Sequence, residues 1–172
     1  MTSASDEIIL EVDERNRALG PTPRSRLRAQ ALWHRSSYVF LRNSAGRWAV
    51  SLRTLSKDYC PGLLDLAAGG VVAYGEDNHE NAQRELLEEL GVFAPLWPVG
   101  SFAYQDANSR VFGHVWLALS DQQPRLQASE VAALHWLTTD EIDALPPEQV
   151  TPDSWHAWQW FKQSVWFDHA PD

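Results

Sequence analysis

The sequence predicts an α/β domain, a mixed β-sheet with helices on both faces. Short runs rich in Val, Phe, Tyr and Trp recur between Glu7 and Leu137, and two pairs of them read as hairpins. Three or four helical segments interrupt these runs, the best formed of them between Asn78 and Leu90. A chain of 172 residues with 44% hydrophobic content suits one substantial core and is short for two.

In order, Glu7 to Val12 and the stretch around Ala18-Leu19-Gly20 read as short strands joined by the turn chemistry of Asp13-Glu14-Arg15-Asn16. Pro21 and Pro23 punctuate, and Ser25 to Ala31 reads as a short helix with Arg24, Arg26 and Arg28 on its basic side. These arginines are expected on a solvated face. The alternative is that one of them reaches a phosphate or an acidic partner, including a second copy of the chain in a homodimer. Residues 1–34 form an N-terminal strand-turn-helix extension packed on a domain spanning 35–167.

Ser37 to Leu41 and Trp48 to Leu52 flank the turn Asn43-Ser44-Ala45-Gly46 and predict a hairpin. His34, just before it, reads as a structural or surface residue. Arg53 to Cys60 is polar, Pro61-Gly62 marks a turn, and Leu63 to Ala68 leads to a glycine pair at Gly69 and Gly70. After the main helix, strands at Val99–Tyr104 and Val111–Leu119 form a second hairpin around Gln105–Ser109. Tyr104, Phe112 and Trp116 on these strands read as core before they read as walls of a pocket for a base. Ala133–Leu137 is a further strand, Thr138–Glu141 opens a short helix halted by Pro146-Pro147, and Thr151-Pro152-Asp153 opens the last helix. Trp155, Trp158, Trp160 and Trp166, with Phe161 and Phe167, are expected to pack that helix on the core.

The chemistry concentrates in residues 70–92, GVVAYGEDNHENAQRELLEELGV. A strand, a loop and a helix are predicted, with Asp77 or Asn78 as N-cap and Gly91 as left-handed C-cap. Glu85, Glu88 and Glu89 sit at i, i+3 and i+4 and share a face, where like charges repel. Ala82, Leu86 and Leu90 form the buried stripe about a quarter turn away, so the acids border the core. Arg84 is a single cation against three anions, and a hard divalent cation with oxygen ligands answers the imbalance better.

The spacing is also specific. Gly70, five residues, Glu76, seven residues, Arg84-Glu85, apolar Leu86, any residue, Glu88-Glu89, any residue, Gly91 and apolar Val92 match the signature of the Nudix hydrolases without a departure. The resemblance covers roughly Arg35 to Phe167 and implies an α/β/α sandwich. It implies that Glu85, Glu88 and Glu89, with the Gly70 carbonyl, bind Mg²⁺ or Mn²⁺. Arg84 would orient the glutamates, and Glu76 would support loop and helix. The activity implied is metal-assisted hydrolysis of a diphosphate joined to another group, in a nucleoside or other organic diphosphate. Glu85 or Glu88 is the candidate base within the signature, with Glu130 and Asp106 as later alternatives. Arg53 and Lys57 flank the route to the acids and are candidates for substrate phosphate.

Outside the signature, VDERNRALG, the run Leu55-Ser56-Lys57 to Pro61-Gly62 and the run Glu130-Val131 to Trp136 resemble the isopentenyl-diphosphate isomerase branch of this superfamily. That branch needs a cysteine before the signature and a pair of glutamates on a later strand. Gly69, Arg110 and Phe112 stand at those positions. An isomerase-like enzyme and a catalytically silent ligand-binding module are therefore the alternatives to a hydrolase.

A net charge of -9 argues against nucleic acid or an anionic membrane as partner, and leaves a small-molecule diphosphate as the expected one. The single Cys60 and a start without a secretory pattern predict a cytoplasmic protein.

Overall fold

The computed structural model describes residues 6–171. Residues 1–5 and 172, which include the start of the N-terminal extension and of the segment expected to carry no secretory signal, lie outside the described residues. The strands are β1 (Ile8–Val12), β2 (Ala18–Pro23), β3 (Trp33–Arg42), β4 (Trp48–Arg53), β5 (Leu64–Asp65), β6 (Leu96–Gln105), β7 (Arg110–Leu119) and β8 (Val131–Leu137). The helices are α1 (Arg24–Gln30), α2 (Asn78–Leu90), α3 (Thr139–Asp143), α4 (Pro152–Lys162) and α5 (Val165–Asp168).

β3 is the central strand, parallel to β7 in unbroken register from Trp33 opposite Arg110 to Arg42 opposite Leu119. β7 pairs antiparallel with β6, which is the predicted second hairpin. The predicted first hairpin keeps its turn but not its ladder: β3 and β4 pair only where Arg42 meets Trp48. The cause is the stretch before α2, which takes up hydrogen bonds of β3. Val39 N–H donates to the Ala68 carbonyl at 2.7 Å, and Ser37 N–H to the Gly70 carbonyl at 3.1 Å. β4 pairs instead with β8, antiparallel from Trp48–Leu137 to Arg53–Val131. Parallel and antiparallel neighbours thus meet in one mixed sheet.

Alternation along β3 assigns its two faces. Tyr38 and Phe40 join a cluster with Trp158 and Phe161 of α4, while Val39 and Leu41 join Ala82, Leu86 and Leu90 of α2. A helix on each face gives the α/β/α sandwich that the signature implied. The C-terminal aromatics do pack on the core: Phe161 stacks on Phe40 at 4.7 Å, and Trp158 meets Trp48 edge-on at 5.4 Å.

The N-terminal segment continues the sheet. β1 pairs with β2 and touches β3 where Glu11 meets His34, and Ile9 packs with Leu27 of α1 and Val71. α2 begins on a capping box, with Asp77 accepting from Glu80 N–H, and stops at Gly91, whose φ is 63°. No helix among the described residues is long and apolar enough to cross a membrane.

Candidate active site

The loop before α2 is fixed by one carboxylate. Glu76 accepts from Ala73 N–H and from Asn81 Nδ2, each at 3.0 Å, and from Arg84 Nε at 2.7 Å. Burial works to raise its pKa, but these hydrogen bonds outweigh it and hold Glu76 below the usual range. Arg84 then reaches Glu85 at 3.2 Å and Glu88 at 3.0 Å, so one guanidinium touches three carboxylates.

The helical spacing separates the three signature acids by environment. Glu85 and Glu89 are 8% and 7% exposed, whereas Glu88 is exposed and turned to Arg84. Gly70 makes room for the first of them, since a Cβ there would sit 2.5 Å from Glu85 Oε1. The Gly70 carbonyl accepts from Ser37 N–H. Glu130, just ahead of β8, completes the group: Glu85, Glu89 and Glu130 each offer an oxygen, all within 4.8 Å of one another. Lys57 Nζ lies 3.0 Å from Glu130. Burial, and next the charges of Glu130 and Glu88 against the opposing pull of Arg84, push Glu85 up to about 7. Burial and the neighbouring Glu85 and Asp65 push Glu89 well above the carboxylate range. Two buried acids that resist ionisation beside a third fit a site for a hard cation, whose charge would remove the penalty.

These carboxylates border a cavity of about 860 Å³. Arg53 and Lys57 also line it, but Arg53 is engaged with Asp65 at 2.8 Å and with the Tyr59 carbonyl. Asp106 lies outside the lining, its carboxylate taken by the Tyr104 hydroxyl and by Asn108 and Ser109 N–H groups. Tyr104, Phe112 and Trp116 are not on the wall either: Phe112 stacks on Trp33 at 4.8 Å and Tyr104 packs on His156. His34 does line it, buried and bonded to the Leu32 carbonyl, with burial holding its pKa down to about 3.

The solvated face expected for the arginines of α1 is corrected for two of them. Arg24 and Arg28 turn into the cavity, where Arg24 pairs with Glu7 and Asp58 and Arg28 lies 3.5 Å from Asp58. Arg26 alone stays half exposed, near Glu11. The sequence carried a signal for this, because Arg24 and Arg28 stand at i and i+4 on one helix face, with Leu27 at i+3 from Arg24, while Arg26 points elsewhere. Asp58, Tyr59 and Asp153, which also line the wall, had no such local pattern.

With this geometry in place, comparison with known proteins decides the family. The NUDIX domain model matches residues 32–161. The chain belongs to the Nudix family. It is 40% identical over 164 residues to the uncharacterized Nudix hydrolase YfcD of Escherichia coli (strain K12), covering 94% of this chain and 91% of that one. It is 33% identical over 159 residues to an isopentenyl-diphosphate Delta-isomerase of Serratia proteamaculans (strain 568), covering 89% and 87%. Among solved structures it resembles DR0079 from Deinococcus radiodurans, with TM-score 0.69, 33% identity and coverage of 79% and 86%. A Nudix identity also accounts for why so many constraints converge on residues 70–92: the box shapes the loop, the helix and the acidic face together.

Proposed function

We propose that this Nudix protein hydrolyses a diphosphate linkage in a nucleoside diphosphate or another organic diphosphate, with Mg²⁺ or Mn²⁺ at its acidic group. The observation that carries the reading is the convergence of Glu85, Glu89 and Glu130 within 4.8 Å at the edge of a large cavity. Glu85, Glu89 and Glu130 would hold the cation, with the Gly70 carbonyl, which also accepts from Ser37 N–H, as a candidate further oxygen. A divalent cation there supplies neutralising charge to phosphate oxygens and makes a nearby water more acidic.

The chain's own residues divide the remaining work. Arg84 fixes Glu85 and Glu88 in orientation while Glu76 fixes Arg84. Glu88 stands outside the compact group and is the carboxylate left to take a proton from water, the role for which Glu85 is the rival. Glu130 serves as ligand in this reading, and Asp106 is spent on its own loop. Lys57, paired with Glu130, supplies charge to the bound diphosphate in this reading, with Arg53 held by Asp65. A cytoplasmic, reducing setting suits the single thiol of Cys60.

The isomerase relative raises the rival chemistry, and Gly69 speaks against it. Its φ is 155°, and a Cβ built there would overlap the Ser37 carbonyl, so this backbone has no place for a cysteine side chain. Arg110 and Phe112 lie outside the cavity lining and bring no carboxylate. The test is phosphate release from nucleoside, sugar and isoprenoid diphosphates with Mg²⁺ and with EDTA. Mg²⁺-dependent release supports the reading; isomer exchange of isopentenyl diphosphate without release would overturn it.

A further inference from the structure

Given a diphosphate at the acidic group, as proposed above, the rest of the cavity wall decides what group the diphosphate carries. That wall is built from charges and hydroxyls. α1 brings Arg24 and Arg28, the loop after β4 brings Asp58 and Tyr59, β3 brings Tyr38, and the first turn of α4 brings Asp153. Among the described residues that line the cavity, the only aliphatic side chains are Ala67 and Val71, and no Leu, Ile, Met, Phe or Trp takes part. An isoprenyl chain would meet no large aliphatic side chain on this wall, and it would strip water from polar groups that it leaves unpaired.

A nucleobase finds no free ring to stack on. The Tyr59 ring already carries the Arg28 guanidinium 4.8 Å from its centroid, and Tyr38 is buried against Phe102. What the wall does offer is complementary hydrogen bonding. Asp153 accepts from the Tyr38 hydroxyl at 2.6 Å on one oxygen and from the Tyr59 hydroxyl at 3.3 Å on the other. Each oxygen keeps a further lone pair, which only a donor satisfies, and a ligand phosphate or carboxylate brings none. Arg28 Nε is buried and makes no hydrogen bond among the described residues, the Asp58 carboxylate meeting it only as an ion pair at 3.5 Å. A ligand hydroxyl suits such a wall, giving its proton to Asp153 and its lone pairs to a guanidinium that lines the cavity.

We infer that the group carried by the diphosphate is rich in hydroxyls and non-aromatic, a sugar or polyol, and that Asp153 and Arg28 select it. Binding of three compounds to the full chain tests this: ribose 5-diphosphate, uridine diphosphate and dimethylallyl diphosphate, by calorimetry with Ca²⁺ as the hard cation. Ribose 5-diphosphate should bind at least tenfold more tightly than dimethylallyl diphosphate, and uridine diphosphate no more tightly than ribose 5-diphosphate. Asp153→Asn should weaken ribose 5-diphosphate at least tenfold and leave dimethylallyl diphosphate within twofold. Tyr59→Phe, on a partly exposed loop, should shift the same ratio in the same direction and serves if Asp153→Asn does not fold. Preference for dimethylallyl diphosphate, tenfold tighter binding of uridine diphosphate, an equal loss for all three in the variants, or no binding at all would each overturn the assignment. Phosphate release from any of the three with Mg²⁺ is read separately and bears on the hydrolase reading alone.

Discussion

Glu85→Gln should stabilise the metal-free protein at pH 8, although it removes an ion pair and a signature residue. Burial, and then its acidic neighbours, raise Glu85 from 4.5 to about 7 even after the opposing pull of Arg84. An acid whose folded pKa is raised loses stability as it ionises. The penalty is absent below about 4.5, grows with pH, and is complete above about 7. A shift of this size corresponds to on the order of 3 kcal/mol, and at about 2–4 °C per kcal/mol for a chain of this length the melting temperature should rise by roughly 10 °C. His34 works in the opposite direction. Buried and neutral, with its pKa lowered from 6.5 to about 3, it adds stability as pH rises through that interval. The wild-type curve therefore mixes two trends, and the difference between wild type and variant isolates Glu85. Thermal melts in EDTA at pH 4 and pH 8 should show that difference small at the lower pH and large at the higher. Added Mg²⁺ should then stabilise the wild type more than the variant. A variant that melts lower than wild type at pH 8 in EDTA would show that Arg84 and Lys57 already satisfy the acids, and the case for a cation would fail.

Glu89→Gln should leave the fold intact by circular dichroism and lower Mg²⁺-dependent phosphate release at least a hundredfold, because an amide keeps the shape but removes a ligand charge; unchanged turnover would refute its role. Arg84→Ala should lower kcat at least tenfold but cost only about 1–2 kcal/mol in a denaturant titration, since its ion pairs are partly solvated; a collapse of stability would make Arg84 a structural tie instead. Gly69→Cys should fail to produce isomer exchange and should destabilise the fold, because the new side chain meets the Ser37 carbonyl; a stable variant with measurable exchange would refute the reading of that backbone.

What could be read from the sequence was local. The caps of α2 were legible because Asp77, Glu80 and Gly91 lie within the element they terminate. The inward packing of α4 followed from its aromatic residues. The partner of β3 was not legible, because the parallel ladder to β7 joins strands far apart in the chain, and a turn at Asn43–Gly46 looks the same whether or not a ladder follows it. The arginines of α1 were read by charge alone, when the i, i+4 spacing of Arg24 and Arg28 already set those two on one face apart from Arg26.

Glu130 shows how a site residue becomes part of the acidic group through contacts that no motif records. The last turn of α2 leaves carbonyls without helical partners. Two of them are met by the chain that precedes β8: Arg125 N–H donates to the Leu90 carbonyl at 2.7 Å and Gln127 N–H to the Glu89 carbonyl at 3.1 Å. A turn then closes where Glu130 N–H meets the Gln127 carbonyl at 2.9 Å, and Thr54 N–H holds the Glu130 carbonyl at 3.1 Å. The hydrogen bonds that satisfy the end of the helix therefore also deliver a carboxylate beside Glu89, and the loop after β4, which carries Thr54, brings Lys57 to it at 3.0 Å. The signature supplies two buried acids and their arginine, while helix capping by a distant segment supplies the third acid. Sequence spacing foresees the first because it is periodic; the sequence singles out Glu130 only as a candidate base, because the backbone hydrogen bonds that set it beside Glu89 carry no residue identity.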